Sequence, residues 1–310
     1  MMNDHVLFTE KYRPRKIDDC ILPLETKETF KQFVRQGVIP HLLLCGTAGT
    51  GKTTVARAMC EELEVDYIEI NASLNGNIDT LRGEILSFVS TVSFSGARKV
   101  VILDEADHLT AATQPALRNF MEQFSSNCSF ILTCNYKARI IEPLHSRCAV
   151  VEFKIPNAEK PKLALEFMKR LTNILETENV KFEKQALPPI IKMFFPDWRR
   201  VLNECQRYSS SGTLETSILQ EVSGSISAIV KILKEKRFSD MRKWVGENDS
   251  EPTAFFRQFY DQSNEFFKPS FIPQLILLIA KYQYQSAHVA DQEINCAAFL
   301  TEVMIDAEWV

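Results

Sequence analysis

Apolar runs long enough to span a bilayer are missing from this chain of 310 residues. The most apolar stretch, FIPQLILLIAKY (271–282), is short and carries Pro273 and Gln274, so it suits a buried helix. The opening MMNDHVLFTEKYRP lacks the apolar core of a signal peptide, and a cytoplasmic protein is expected. CxxC pairs are missing as well. The eight cysteines stand apart at 20, 45, 60, 128, 134, 148, 205 and 296, several inside apolar runs. This argues against a disulfide framework and suits reduced core thiols. HSRC (145–148) comes nearest to a metal-ligand pair but has no second half-site. A large excess of one charge is also absent. With a net charge of −4, no global positive field draws the chain to nucleic acid or membrane, so any nucleic-acid contact must come from a local surface.

What remains is ordinary globular material, 45% hydrophobic and 25% charged, at a length that suits two or three domains. The first half alternates in character. HLLLCG (41–46), YIEINA (67–72), KVVILDEAD (99–107), SFILTCN (129–135) and AVVEF (149–153) are short apolar or β-branched runs. Helical patterns such as KTTVARAMCEELE (52–64) and LRGEILSFVSTV (81–92) lie between them. The alternation predicts an α/β domain with a parallel sheet, its strands buried on both faces. From 154–158 to the end no strand is expected. Residues 160–180 predict a helix with Leu163, Phe167, Leu171 and Ile174 on one face, and 187–212 two helices broken at Pro196. A second boundary is expected near SGSIS (223–227), where Ile226, Ile229, Val230 and Leu233 begin a new amphipathic series. The expected domains are 1–155, 156–223 and 224–310.

GTAGTGKT (46–53) matches the P-loop pattern G-x-x-x-x-G-K-[ST] and falls between a predicted strand and a predicted helix, the context that pattern needs. Gly46, Thr47, Ala48, Gly49, Thr50 and Gly51 would curl so that backbone N–H groups, with those of Lys52, Thr53 and Thr54, face a phosphate chain. Lys52 would reach the β- and γ-phosphates and Thr53 a magnesium ion. An apolar strand then delivers Asp104, which could hold Mg²⁺ through water, and Glu105, placed to orient an attacking water. Asn135 ends SFILTCN, either as turn chemistry or as an amide for the γ-phosphate. Arg199 opens a helix in PDWRRVLN, with Arg200 on another face. Arg147 stands just before a strand, either an ordinary surface charge or a group aimed outside its own subunit. A nucleoside triphosphatase is expected.

GTAGTGKT, ILDEAD, TCN, SRC and DWRRVLN, in this order, resemble the AAA+ ATPases and within them the clamp loaders. KYRP (11–14) is similar to that group's nucleotide-site box, HSRC to the Ser-Arg-Cys motif of replication factor C small subunits, and SSNCSFILTCN to ATPase subunits of T-even-type phage clamp loaders. The resemblance covers 11–200. It implies an AAA+ domain, a helical lid and an all-α collar that oligomerises, with ATP and Mg²⁺ as cofactors. It makes Arg147 an arginine finger acting in trans, Asn135 sensor 1 and Arg199 sensor 2, with Tyr12 and Arg13 against the base and lid, and Val6 and Leu7 as further adenine-pocket candidates. A homo-oligomer of ATPase subunits with a different small subunit, a sliding clamp and primer–template DNA follow as partners, with no membrane. DNA contact would fall to Asn77, Arg82, Thr110 and Thr113, although Thr110 suits a helix N-cap equally well. Gln114 could link the DNA-facing helix to the Walker B acids, or be a surface glutamine. Ile85, Phe88, Val89 and Phe94 offer an apolar patch to a clamp unless they are core. The lid motif departs from the family in having Pro196 before the Asp where Gly is usual. An AAA+ unfoldase is disfavoured because NASLNGNID has no aromatic residue for a pore loop. A helicase loader, a junction motor and a non-catalytic loader subunit remain as alternatives.

Overall fold

The computed structural model describes residues 7–73, 78–91, 98–209, 213–214, 217–247, 252–286 and 288–310. Of the candidates above, Val6, Asn77 and Phe94 lie outside them. The chain forms two compact units, Met1–Leu214 and Glu215–Val310.

The first unit runs α1 (Phe8–Lys11), α2 (Leu24–Gln36), β1 (Leu42–Cys45), α3 (Lys52–Glu62), β2 (Tyr67–Asn71), α4 (Ile78–Ser90), β3 (Lys99–Asp104), α5 (Thr113–Gln123), β4 (Cys128–Cys134), α6 (Glu142–His145) and β5 (Ala149–Glu152). The five strands form one parallel sheet in the order β2-β3-β4-β1-β5. Side chains alternate across a strand. Leu43, Val101, Leu103, Phe130 and Leu132 therefore join Leu81, Ile85, Val89 and Leu117 on one face. Leu42, Leu44, Val100, Ile102 and Ile131 join Phe30, Val55 and Met59 on the other. Burial on both faces holds for β1, β3 and β4 and fails at the edges, where β2 is half-buried and Ala149 and Val150 of β5 are exposed. An edge strand has a neighbour on one side only, so the surrounding helices cover it less completely.

The unit continues through α7 (Lys160–Thr177), β6 (Lys181–Phe182), α8 (Leu187–Phe194), α9 (Trp198–Ser209) and β7 (Thr213–Leu214). The predicted face of α7 is buried at Leu163, Phe167, Leu171 and Ile174, and the helix break falls at Phe195–Asp197. The parallel pair β6–β7 corrects the expectation of no strand after residue 158. Two residues per strand are too few to leave a periodic signal.

The second unit is helical: α10 (Ser217–Lys234), α11 (Phe238–Glu247), α12 (Pro252–Asp261), α13 (Ser263–Phe266), α14 (Ile272–Ser286) and α15 (Gln292–Asp306). The stretch expected as a boundary, 223–227, falls inside α10, and the compact units part after Leu214. A single Gly224 flanked by serines lowers helix propensity by about 1 kcal/mol but does not end a helix whose apolar face is packed. That face, Ile226, Ile229, Val230 and Leu233, meets Met241, Phe256, Leu275 and Phe299. Among the described residues no helix is long and apolar enough to cross a membrane.

Candidate functional site

Sheet order builds the site. β4 lies between β1 and β3, so its end at Cys134–Asn135 emerges between the P-loop that follows β1 and the acids that end β3. The loop requires its glycines. Gly49 has φ +72, and a Cβ there would stand 1.7 Å from Asp197 Oδ1. That carboxylate accepts the Arg200 N–H at 3.0 Å, and Trp198 N donates to Gly49 O at 3.2 Å. The start of α9 is thus seated directly on the P-loop, which only a residue without a side chain permits.

Lys52 is buried and its ammonium is held by Gly46 O at 2.7 Å, Thr47 O at 2.8 Å and Asn135 Oδ1 at 2.9 Å. Burial holds its pKa below the ordinary lysine value. Thr53 Oγ1 donates to Asp104 Oδ1 at 2.7 Å, an all-oxygen pair of the kind Mg²⁺ accepts. Thr133 Oγ1 donates to the same carboxylate oxygen at 2.5 Å and accepts Glu105 N–H at 3.1 Å. Glu105 itself is left-handed, φ 57 and ψ 42. The geometry therefore joins Lys52, Thr53, Asp104, Glu105 and Asn135 in one cluster.

Beside it opens a cavity of about 120 Å³, open to solvent and lined by the P-loop from Gly49 to Val55, by Tyr12, Arg13 and Leu22 of the N-terminal segment, and by Phe167, Trp198 and Arg199. Tyr12, Arg13 and Arg199 thus share the lining of this cavity. Leu7 does not line the cavity. It is 55% exposed, one residue ahead of α1, so it is corrected as an adenine-pocket candidate. Arg170 was missed. Its guanidinium donates to Tyr12 O at 2.7 Å and Asp19 O at 2.5 Å, and burial depresses its pKa. No local pattern could have found it, because its partners are backbone carbonyls more than 150 residues away. Tyr12 shares Glu178 with Lys11, and burial followed by that hydrogen bond pushes the Tyr12 hydroxyl up to about 12.

Arg147 lies elsewhere. It precedes β5, and β5 runs parallel to β1 with Leu42 opposite Ala149, so the arginine sits at the N-terminal end of these strands, whereas the P-loop follows the C-terminal end of β1. Its guanidinium donates to Pro143 O at 3.0 Å and pairs with Glu122 of α5.

The remaining candidates divide. Thr110 is exposed and its hydroxyl accepts Thr113 N–H at 3.2 Å, so it does cap the start of α5. Thr113 is buried, its hydroxyl against that of Thr110 at 2.9 Å, which corrects it as a DNA contact. Arg82 is exposed and lies over the Phe120 ring. Gln114 is 3% exposed and no surface glutamine. Its amide donates to Leu109 O at 3.2 Å and Arg139 O at 3.0 Å, and its oxygen accepts Ile141 N–H at 2.9 Å. It joins α5 to the segment entering α6, and none of these bonds reaches the Walker B acids. The clamp patch is corrected too: Ile85 and Val89 are core residues, and Phe88 packs half-buried against the same core.

Comparison with known proteins agrees with this geometry. Residues 42–156 match the ATPase family associated with various cellular activities, and residues 159–220 the AAA+ ATPase lid domain of the sliding-clamp-loader large subunit. The chain is 34% identical to the sliding-clamp-loader large subunit of Enterobacteria phage T4, covering 99% of this chain and 98% of that protein. It is 40% identical to the same subunit of Escherichia phage RB69 over 77% of this chain and 76% of that one. A replication factor C small subunit of Archaeoglobus fulgidus is 42% identical over 68% of this chain and 66% of its own length. Among solved structures, Thermotoga maritima RuvB, the Holliday junction branch migration motor, superposes with a TM-score of 0.53 at 18% identity over 76% of this chain and 85% of that one, a likeness of fold alone. The chain belongs to the sliding-clamp-loader large subunits, AAA+ ATPases of DNA replication.

Proposed function

We propose that this clamp-loader ATPase works as a homo-oligomer with a different small subunit, in which ATP binding builds a closed spiral that opens and holds a sliding clamp. Hydrolysis, triggered by primer–template DNA together with the clamp, dissolves the spiral and leaves the ring on DNA. The observation that carries this reading is the position of Arg147. It lies before the N-terminal end of β5, while its own P-loop follows the C-terminal end of the neighbouring parallel strand β1, and this separation supports its serving the site of a neighbouring chain. An arginine delivered to the γ-phosphate in this way is worth about 10³–10⁵ in turnover.

Within one chain, the P-loop backbone and Lys52 hold the phosphates, whose oxygens would compete with the three oxygens now on the ammonium. Thr53 and Asp104 suit Mg²⁺, which neutralises charge on the β- and γ-phosphates when bound. Glu105 orients and deprotonates the attacking water, and Asn135 holds that water against the γ-phosphate. Arg199 brings the lid to the phosphates from the start of α9. Tyr12 and Arg13 lie along the base end of the cavity. DNA contact falls to the exposed Thr110 and Arg82.

The test is ATP turnover with the clamp and small subunit present, on primer–template against single-stranded DNA. Primed DNA plus clamp should raise turnover well above single-stranded DNA. Equal turnover on both would leave an ATPase and remove the loading cycle.

A further inference from the structure

One hydroxyl in the site has no role in the cycle just described. Thr133 sits on β4 one residue before Cys134, is 1% exposed, and is the next step of the ladder after the Leu103–Leu132 pair, so it faces the end of β3 where Asp104 and Glu105 leave the sheet. The polarity of its hydrogen bonds is forced. A carboxylate only accepts, so the Thr133 hydroxyl donates to Asp104 Oδ1, and its lone pair is left to accept the Glu105 N–H. A single side chain thereby fixes both Walker B acids. Thr53 also donates to Asp104 Oδ1, but Thr53 belongs to the P-loop helix, which the nucleotide engages directly. Thr133 belongs to the central sheet.

The backbone of Glu105 adds a second reason. Its φ of 57 is the left-handed region, which a β-carbon disfavours, and such a residue persists only where the surroundings over-determine it. Two bonds bracket it: its N–H goes to Thr133 Oγ1, and its carbonyl accepts His108 N–H at 2.9 Å. Valine has nearly the shape of threonine and neither bond.

We propose that Thr133 is a positioning residue that holds Asp104 for the metal and Glu105 for the attacking water. This deepens the reading above and rests on its assignment of the Walker B acids. Removing the partner of a metal-binding group commonly costs 10- to 100-fold in affinity or activity. Thr133→Val should lower turnover about 100-fold. It should also raise the Mg²⁺ concentration needed to tighten a fluorescent ATP analogue about 10-fold, while binding of that analogue in EDTA is unchanged. Thr133→Ser, which keeps the hydroxyl, should return both quantities to within a few-fold of wild type. If the valine protein does not fold, Thr133→Cys, of similar size and weaker hydrogen bonding, takes its place with the same expectation.

A valine protein with wild-type Mg²⁺ dependence and turnover overturns the proposal, as does a serine protein as impaired as the valine one, which would mean that the methyl packing matters and the hydroxyl does not. Glu105→Gln is measured in parallel. If it keeps full turnover, the Walker B assignment itself fails and takes the proposal with it. If it is inactive while Thr133→Val is normal, only the role of Thr133 is lost.

Discussion

Replacing Arg147 by alanine separates two effects of very different size. Within its own chain the side chain, 32% exposed, donates to Pro143 O and pairs with Glu122, a carboxylate on the surface of α5. Exposed pairs of this kind contribute about 0.2–1 kcal/mol. Removing the guanidinium should therefore move the unfolding midpoint by no more than about 4 °C and leave the nucleotide affinity of the isolated subunit unchanged. The assembled enzyme should behave otherwise. A finger worth 10³–10⁵ in turnover corresponds to about 4–7 kcal/mol of barrier at 1.36 kcal/mol per decade. That is several times anything its intrachain contacts supply. The assay is steady-state phosphate release with primed DNA and clamp, beside equilibrium binding of a fluorescent ATP analogue. An alanine protein that binds nucleotide normally yet loses at least a thousandfold in stimulated turnover agrees with a finger in trans. Turnover within a few-fold of wild type would refute it, and so would a loss confined to the subunit's own nucleotide binding.

Three further expectations concern the first unit. Gln114→Ala should lower stability by about 1–3 kcal/mol, because it removes a buried side chain and leaves the half-buried Ile141 N–H without its acceptor. Since none of its bonds reaches the Walker B acids, the folded alanine protein should keep the rise in turnover on primed DNA, and a lost rise at undiminished stability would give Gln114 a coupling role instead. Ile85→Ala should cost about 2–5 kcal/mol in chemical denaturation, as a fully buried side chain does, with clamp affinity of the folded protein unchanged. A loss of clamp binding at undiminished stability would reverse that assignment. His41 accepts the Phe130 N–H through Nδ1, and burial, then Arg98, depresses its pKa below 6.5. The unfolded chain therefore takes up the proton first. Stability is complete above about pH 6.5, falls as pH drops toward the folded value, and levels off below it. His41→Gln should remove this part of the pH dependence, as followed by urea midpoints between pH 5 and 8, and an unaltered profile would count against it.

The phosphate end of the site was legible because its chemistry is local. Gly46 to Thr53 are contiguous, and Asp104, Glu105 and Asn135 each end an apolar run that could only be a buried strand. Nothing of the kind announces Arg170 or Thr133, whose partners come from elements distant in the chain. TCN drew attention to its asparagine, whereas the hydroxyl two residues earlier looked like one more strand residue. Ile85 and Val89 misled for a different reason. A helix that packs on a sheet and a helix that offers an apolar face to a partner have the same periodicity, and only the burial of both side chains distinguishes them. Ser-Gly-Ser suits a linker in sequence, yet packing of Ile226 and Ile229 carries α10 straight through it.

The P-loop and Arg147 lie at opposite ends of the neighbouring parallel strands β1 and β5, and in the proposed assembly this gives each chain a donor side and an acceptor side. Subunits joined in that sense associate head to tail, through unlike surfaces. An open arc of them always has one junction fewer than it has members, and the last nucleotide site goes without a finger unless a chain of another kind supplies one. In the proposed assembly defects are displaced as well: a chain lacking Arg147 would silence the site next door and keep its own. Two inactive variants, Arg147→Ala and Lys52→Ala, should therefore complement when mixed. Random equal assembly leaves about one junction in four with an intact lysine facing an intact arginine, so turnover should return in a mixture of proteins that are each inert alone.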